Sequence, residues 1–115
     1  MNCTVSYDGA VGVVRIEGRL DAASVEEYKR SFAEYLGRAT HFVCDLGKLD
    51  FIDSAGLGGL VSSLRRAAEK GGDLKLACLP PKVAMVFEIT RAHRVFEIFD
   101  TCDAAVGSYA GRAPV

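Results

Sequence analysis

The residue with the clearest chemical potential is Ser54, in the stretch from Asp45 to Gly59 that carries Asp53, Ser54, Ala55, Gly56, Leu57, Gly58 and Gly59 in succession. It lies where an apolar run gives way to a long amphipathic segment, at or next to the N-cap of a helix. A helix N-terminus presents unpaired backbone N–H groups and a partial positive charge. A phosphate on Ser54 would be held there, with a stabilisation of about 0.3–1 kcal/mol, rising to ~2 where it is partly buried. Capping alone also accounts for a serine at a helix start. Gly56, Gly58 and Gly59 alter that balance. Each glycine costs roughly 1 kcal/mol relative to alanine in a helix, so the trio needs a reason. It leaves bare backbone beside Ser54, either for close packing on a sheet or for the approach of a partner protein. Asp21 and Asp53 each precede a helix. Loops after strand C-termini gather at one edge of an α/β sheet, which makes Asp21 and Ser54 expected neighbours. The two carboxylates serve either as caps or as an acidic docking patch around the hydroxyl.

Other chemistries fit poorly. A nucleophile elbow needs glycine two residues before the serine, and Ile52 stands there. A general base is also required, and neither His41 nor His93 has a context that places it near Ser54. Gly56-x-Gly58 lacks the spacing and preceding strand of a dinucleotide fingerprint, and no Walker pattern occurs, so no cofactor is expected. Cys3, Cys44, Cys78 and Cys102 are widely separated, with no Cys-x-x-Cys. They read as reduced thiols, mostly packed as small apolar side chains, in preference to a zinc site built from the four, so no metal is expected.

The elements that must position Ser54 follow from periodicity. Cys3–Tyr7 and Val11–Glu17 read as strands joined by a turn at Asp8-Gly9, with Gly18 ending the second. Val25, Tyr28, Phe32, Tyr35 and Leu36 mark one face of a helix between Ala22 and Gly37. Asp21 caps it, or Ser24 and Glu27 form a capping box if it starts later. His41–Leu46 reads as a buried strand. Lys48–Asp53 reads as a loop anchored by Phe51 and Ile52. Ser54–Lys70 is the clearest helix, with a stripe of Leu57, Leu60, Val61, Leu64 and Ala68, stopped by Gly71-Gly72. Asp73–Leu79 is a strand, Pro81–Thr90 a helix, Val95–Phe99 a short strand. A last small helix, capped by Thr101 or Asp103, ends near Gly107. The order is β-β-α-β-α-β-α-β-α, which predicts an α/β domain with a mixed, mostly parallel sheet of about five strands and about four helices. Residues 1–107 form the expected domain and 108–115 a mobile tail.

Composition agrees with one globular domain. The chain has 115 residues, half of them hydrophobic and a quarter charged, which excludes a disordered or collagen-like protein. Fourteen basic and fifteen acidic residues leave a net charge of -1, which argues against binding nucleic acid by phosphate neutralisation. No apolar run reaches the roughly eighteen residues of a membrane span. Met1–Gly9 does not read as a signal peptide, so the expected location is the cytoplasm.

Ile52-Asp53-Ser54-Ala55-Gly56-Leu57, preceded by the strand His41–Leu46 and by Gly18-Arg19-Leu20-Asp21, resembles the signature of STAS domains, and more narrowly of bacterial anti-sigma-factor antagonists. The resemblance covers nearly the whole chain and implies a regulatory switch rather than an enzyme. In such proteins the serine matching Ser54 is phosphorylated by an anti-sigma factor that is also a serine kinase. The unphosphorylated form binds that kinase and frees a sigma factor, and a phosphatase resets the phosphorylated form. The expected partner-binding set is Asp21, Asp53, Ser54, Ala55, Gly56, Leu57 and Gly58, on a monomer or weak dimer with no direct contact to nucleic acid and no membrane insertion. The alternative within the same resemblance is a scaffold or accessory subunit of a stress-signalling assembly or of a lipid or anion transport system. The chain departs from the family pattern at three places. Gly47 stands where serine is frequent, and Ala55 where a second hydroxyl is frequent. Thr90-Arg91-Ala92 stands where Thr-Gly-Leu is frequent, which makes the end of the third helix a point to check.

Overall fold

A computed structural model describes residues 1–110 of the chain. Its spine is β2 (Val11–Leu20), whose β-branched residues alternate between two covered faces. β1 (Asn2–Asp8) runs antiparallel beside it through the expected Asp8-Gly9 turn. α1 (Val25–Tyr35) crosses to β3 (His41–Asp45), which pairs in parallel with the first half of β2. α2 (Ser54–Glu69) leads to β5 (Asp73–Ala77), parallel to β3. α3 (Pro81–Ile89) and one 3₁₀ turn (Ala92–Arg94) lead to β6 (Ile98–Phe99), and α4 (Cys102–Ala110) closes the described chain.

Two features differ from the expected order. The expected loop 48–53 contains a sixth strand, β4 (Leu49–Ile52), parallel to the end of β2. β3 and β4 thus lie in line along one flank of β2, and the sheet order is β1-β2-β3-β5-β6 with β4 paired to β2. β2 does not stop at Gly18. That residue adopts φ +86°, the pairing register shifts there, and the strand continues to Leu20. Inside β4, Leu49 and Ile52 are buried and Phe51 is exposed, so Ile52 is an anchor and Phe51 is not.

The helix starts also differ in detail. Ser24 is the N-cap residue of α1, but its side chain makes no cap bond. Its hydroxyl donates to the Arg19 carbonyl at 2.8 Å, and Asp21 Oδ1 accepts from the backbone N–H groups of Ala23 and Ser24. Neither expected cap of α1 forms, because both side chains are engaged in the turn before it. Along α2 the buried stripe runs through Gly59, Ser63 and Ala67 rather than Ala68, because α2 packs closely against α1. Tyr28 and Ser63 share a 2.7 Å hydrogen bond across that contact.

The sheet is covered on both faces. The main core holds Ile16, Leu20, Phe32, Phe42, Leu60, Leu76 and Phe87. A second cluster of Val11, Val43, Ala77, Ala105 and Tyr109 lies under α4. α4 runs to Ala110, three residues past its expected end at Gly107, so Ser108–Ala110 are helical. Tyr109 donates a 2.8 Å hydrogen bond to the Phe42 carbonyl, and the buried Lys75 Nζ donates to Ser108 Oγ at 2.6 Å. The rest of the expected tail, 111–115, lies outside the described residues. Cys44 is fully buried in the main core, and burial pushes its thiol far above the ordinary range. No helix among the described residues is long and apolar enough to cross a membrane.

Candidate functional site

The site is built where β2 and β4 end side by side. Both strands deliver their chains to the same edge, and a helix start follows each. Asp53 joins the two. Its Oδ1 accepts from Gly56 N–H at 2.9 Å and makes it the N-cap of α2. Its Oδ2 accepts from Ala22 N–H at 3.2 Å, in the turn that follows β2. One carboxylate therefore clamps the Asp21–Ser24 turn to the start of α2.

That arrangement leaves Ser54 out of the cap. Ser54 is the first residue of α2, not its cap, and its side chain is exposed. Among the described residues its hydroxyl has no hydrogen-bond partner. A group attached to it would lie in the field of the unpaired N–H groups of the first turn. Ala55 is half-buried beside it.

The three glycines separate into two uses. A Cβ on Gly56 would run into the Leu20 carbonyl oxygen, and one on Gly59 would come to 2.6 Å from Val25 Cγ2. These two are required for α2 to lie against β2 and α1. Gly58 is exposed, and a Cβ there would meet nothing within 4 Å. Of the expected partner-facing residues, Gly56 and Leu57 are buried and build the site, while Ser54 and Gly58 form its open surface one helical turn apart.

Asp21 is half-buried in the adjoining turn. Desolvation acts to raise its pKa, but hydrogen bonds from Ser24, the Arg19 guanidinium and the backbone of Ala23 and Ser24 outweigh it and hold the carboxyl below its ordinary value. Asp21 is thus a fixed negative charge, paired with Arg19 Nε at 3.3 Å. The Arg19 guanidinium in turn lies 4.0 Å from the centre of the exposed Phe51 ring. Arg19 and Phe51 are surface members of the site that the sequence reading did not single out. The pairing of β2 with β4, which puts them side by side, was hidden once residues 48–53 were read as loop.

Both histidines are engaged away from Ser54. His41 Nδ1 lies 3.1 Å from Thr40 Oγ1 and its ring packs edge-on against Tyr109. His93 Nδ1 lies 3.2 Å from the Phe87 carbonyl. No hydrogen bond joins either to Ser54 among the described residues. The arrangement presents an exposed hydroxyl at the first residue of a helix, beside the capping carboxylate of Asp53.

Comparison with known proteins agrees with this fold. An anti-sigma F factor antagonist of Paenibacillus polymyxa is 27% identical over 104 residues, 87% of this chain and 89% of that protein. The structure of an anti-sigma-factor antagonist (STAS) domain protein from Planctomyces limnophilus superposes with a TM-score of 0.84 at 23% identity, over 94% of this chain and 97% of that one. The phosphorylated form of the Bacillus cell-fate determinant SpoIIAA gives a TM-score of 0.72 at 21% identity, over 94% and 99% of the two chains. At such identities the solved structures establish the fold. The STAS domain profile matches residues 4–105, and this chain belongs to the STAS domain family.

Proposed function

We propose that the chain is an anti-sigma-factor antagonist switched by phosphorylation of Ser54. Unphosphorylated, it binds an anti-sigma factor that is also a serine kinase, so that a sigma factor is released. Phosphorylated, it lets the kinase go until a serine phosphatase restores the hydroxyl. The observation that carries this reading is the exposed Ser54 hydroxyl, left free because Asp53 takes the cap of α2. The name of the Paenibacillus relative and the phosphorylated form of SpoIIAA point the same way.

The physical effect of the modification is local. A phosphate adds about -1.5 to -2 charges at pH 7, moving the net charge from -1 to roughly -3. It adds bulk on the face that Ser54 shares with Gly58, next to the fixed charge of Asp21. A partner seated there meets a steric and desolvation penalty without any refolding of the chain. We expect Ser54→Ala to bind the kinase constitutively and Ser54→Asp to bind it poorly, measured by titration calorimetry. Equal binding of both variants would overturn the switch. Phosphopeptide mapping of protein from its native cells tests the modification itself. Ser54 left unmodified in growth, starvation and stress alike would favour a scaffold or transport-subunit role.

A further inference from the structure

A second cluster of chemically capable side chains lies under the other face of the sheet, away from Ser54. Asp45, Cys78 and Cys102 place a carboxylate oxygen and two thiol sulfurs all within 4.8 Å of one another. The residues are distant in sequence and arrive from three elements. Asp45 is the last residue of β3. Cys78 follows directly on β5, whose Ala77 pairs with Asp45. Cys102 is the first residue of α4. Each is half-buried, so the cluster is sheltered and still reachable from solvent.

The backbone around the cluster is held in place. Cys78 N–H donates to the Phe99 carbonyl at 3.1 Å, and Thr101 Oγ1 accepts from Ala104 N–H at 3.1 Å just beyond Cys102. Asp45 Oδ1 accepts from Gly47 N–H at 2.9 Å, and Arg15 Nε stands 3.2 Å from Oδ2. The Gly47 turn folds over the group: a Cβ there would lie 3.1 Å from Asp45 Oδ1 and 3.5 Å from Cys78 Cβ. Cys78 itself sits at φ +65°, a left-handed conformation that a non-glycine residue adopts only against resistance. Strained positions of this kind concentrate at functional sites.

We propose that Asp45, Cys78 and Cys102 form a binding site for a zinc ion. Two sulfur ligands and one oxygen are a donor set that zinc favours over the harder magnesium and calcium ions. With Zn–S bonds of about 2.3 Å, tetrahedral sulfur ligands stand about 3.8 Å apart, and the three ligand atoms here all lie within 4.8 Å of one another. The two thiols give up their protons to solvent as the ion binds. Three protein ligands leave one coordination position for water or for a group from outside. The ion would tie β3, the β5–α3 turn and α4 together. The proposal does not depend on the role of Ser54.

Cobalt(II) titration of the whole, reduced, metal-free chain tests it, with cobalt as the spectroscopic probe for zinc. The expected result is one ion per chain, with the ligand-field bands of a tetrahedral site and a thiolate-to-cobalt charge-transfer band, displaced by added zinc. Cys78→Gly suits the left-handed backbone and preserves the fold, so it isolates the loss of a ligand. It and Cys102→Ser should each weaken binding by about tenfold or more, whereas Cys3→Ser should leave it unchanged. Cys3 sits elsewhere, with its sulfur 3.6 Å from the Tyr35 hydroxyl. Alkylation mapped by peptide mass spectrometry supplies a readout without variants: zinc should protect Cys78 and Cys102 and not Cys3. Absence of the charge-transfer band in the native chain, its persistence in Cys78→Gly, or equal alkylation of all three thiols with and without zinc would each overturn the site.

Discussion

Asp53 spares Ser54 from structural duty, and the neighbouring glycines divide between packing and openness. Two alanine substitutions separate those uses. Gly56→Ala drives a methyl group into the Leu20 carbonyl, which is backbone and cannot step aside. It should lower unfolding stability by about 1–3 kcal/mol, the usual cost of overpacking. Gly58→Ala fills open space and removes a poor helix former. It should raise stability by up to about 1 kcal/mol while weakening kinase binding if the partner seats on that face. Urea unfolding reads the first effect, and calorimetry with the kinase reads the second. That Ser54, Asp21 and Asp53 stand at or just before helix starts was legible in the sequence, because their residue types and the periodicity of the following segments carry that information. The division of labour among the glycines was not. It depends on the Leu20 carbonyl and the Val25 side chain, which belong to other elements.

Elements with a clear pattern were readable, α1 and α2 by their helical period and the five-residue strands β3 and β5 by their apolar runs. α1 and α2 come close to their expected bounds because each buries one face, whereas β5 ends at Ala77, two residues short of the expected Leu79. β4 escaped because its four residues run buried, exposed, exposed, buried, with no alternation to detect. Its existence follows from the second half of β2, which continues past Gly18 and needs a partner. The end of α3 answers the question raised by Thr90-Arg91-Ala92. The left-handed turn is kept with arginine in it, at φ +62°, and Thr90 Oγ1 donates to the Val86 carbonyl at 2.7 Å to close the helix. Arg91 is exposed, so the cost is one of backbone conformation alone. Arg91→Gly should therefore stabilise the chain by about 1 kcal/mol, read as a higher midpoint in chemical unfolding. An unchanged or lower midpoint would show that the arginine side chain offsets its own backbone cost.

At the scale of the molecule, the sheet has two covers of unequal size, and the smaller one depends on a single helix. The overall α/β class was legible from the alternation of strands and helices. The extent of α4 was not, because glycine and small residues near its end resemble a loose tail. Tyr109 decides the matter by filling the second cluster and reaching the Phe42 carbonyl. Tyr109→Ala should cost about 3–5 kcal/mol, as for other large aromatic truncations in a core. Thermal unfolding measures it, and a loss below 1 kcal/mol would mean that α4 is not an integral cover.

Lys75 lies beneath that cover, on β5, with its ammonium 4.1 Å from the centre of the Tyr109 ring. A lysine is a costly choice for a buried strand position, but α4 is synthesised after every strand it covers. Without α4, the face that it covers would stand in water with that ammonium at its centre. A charge in the middle of that face discourages sheet-to-sheet sticking between unfinished chains. With α4 docked, Ser108 and Tyr109 join Glu97 in holding the same ammonium, so the lysine that would keep the uncovered face apart also anchors its cover.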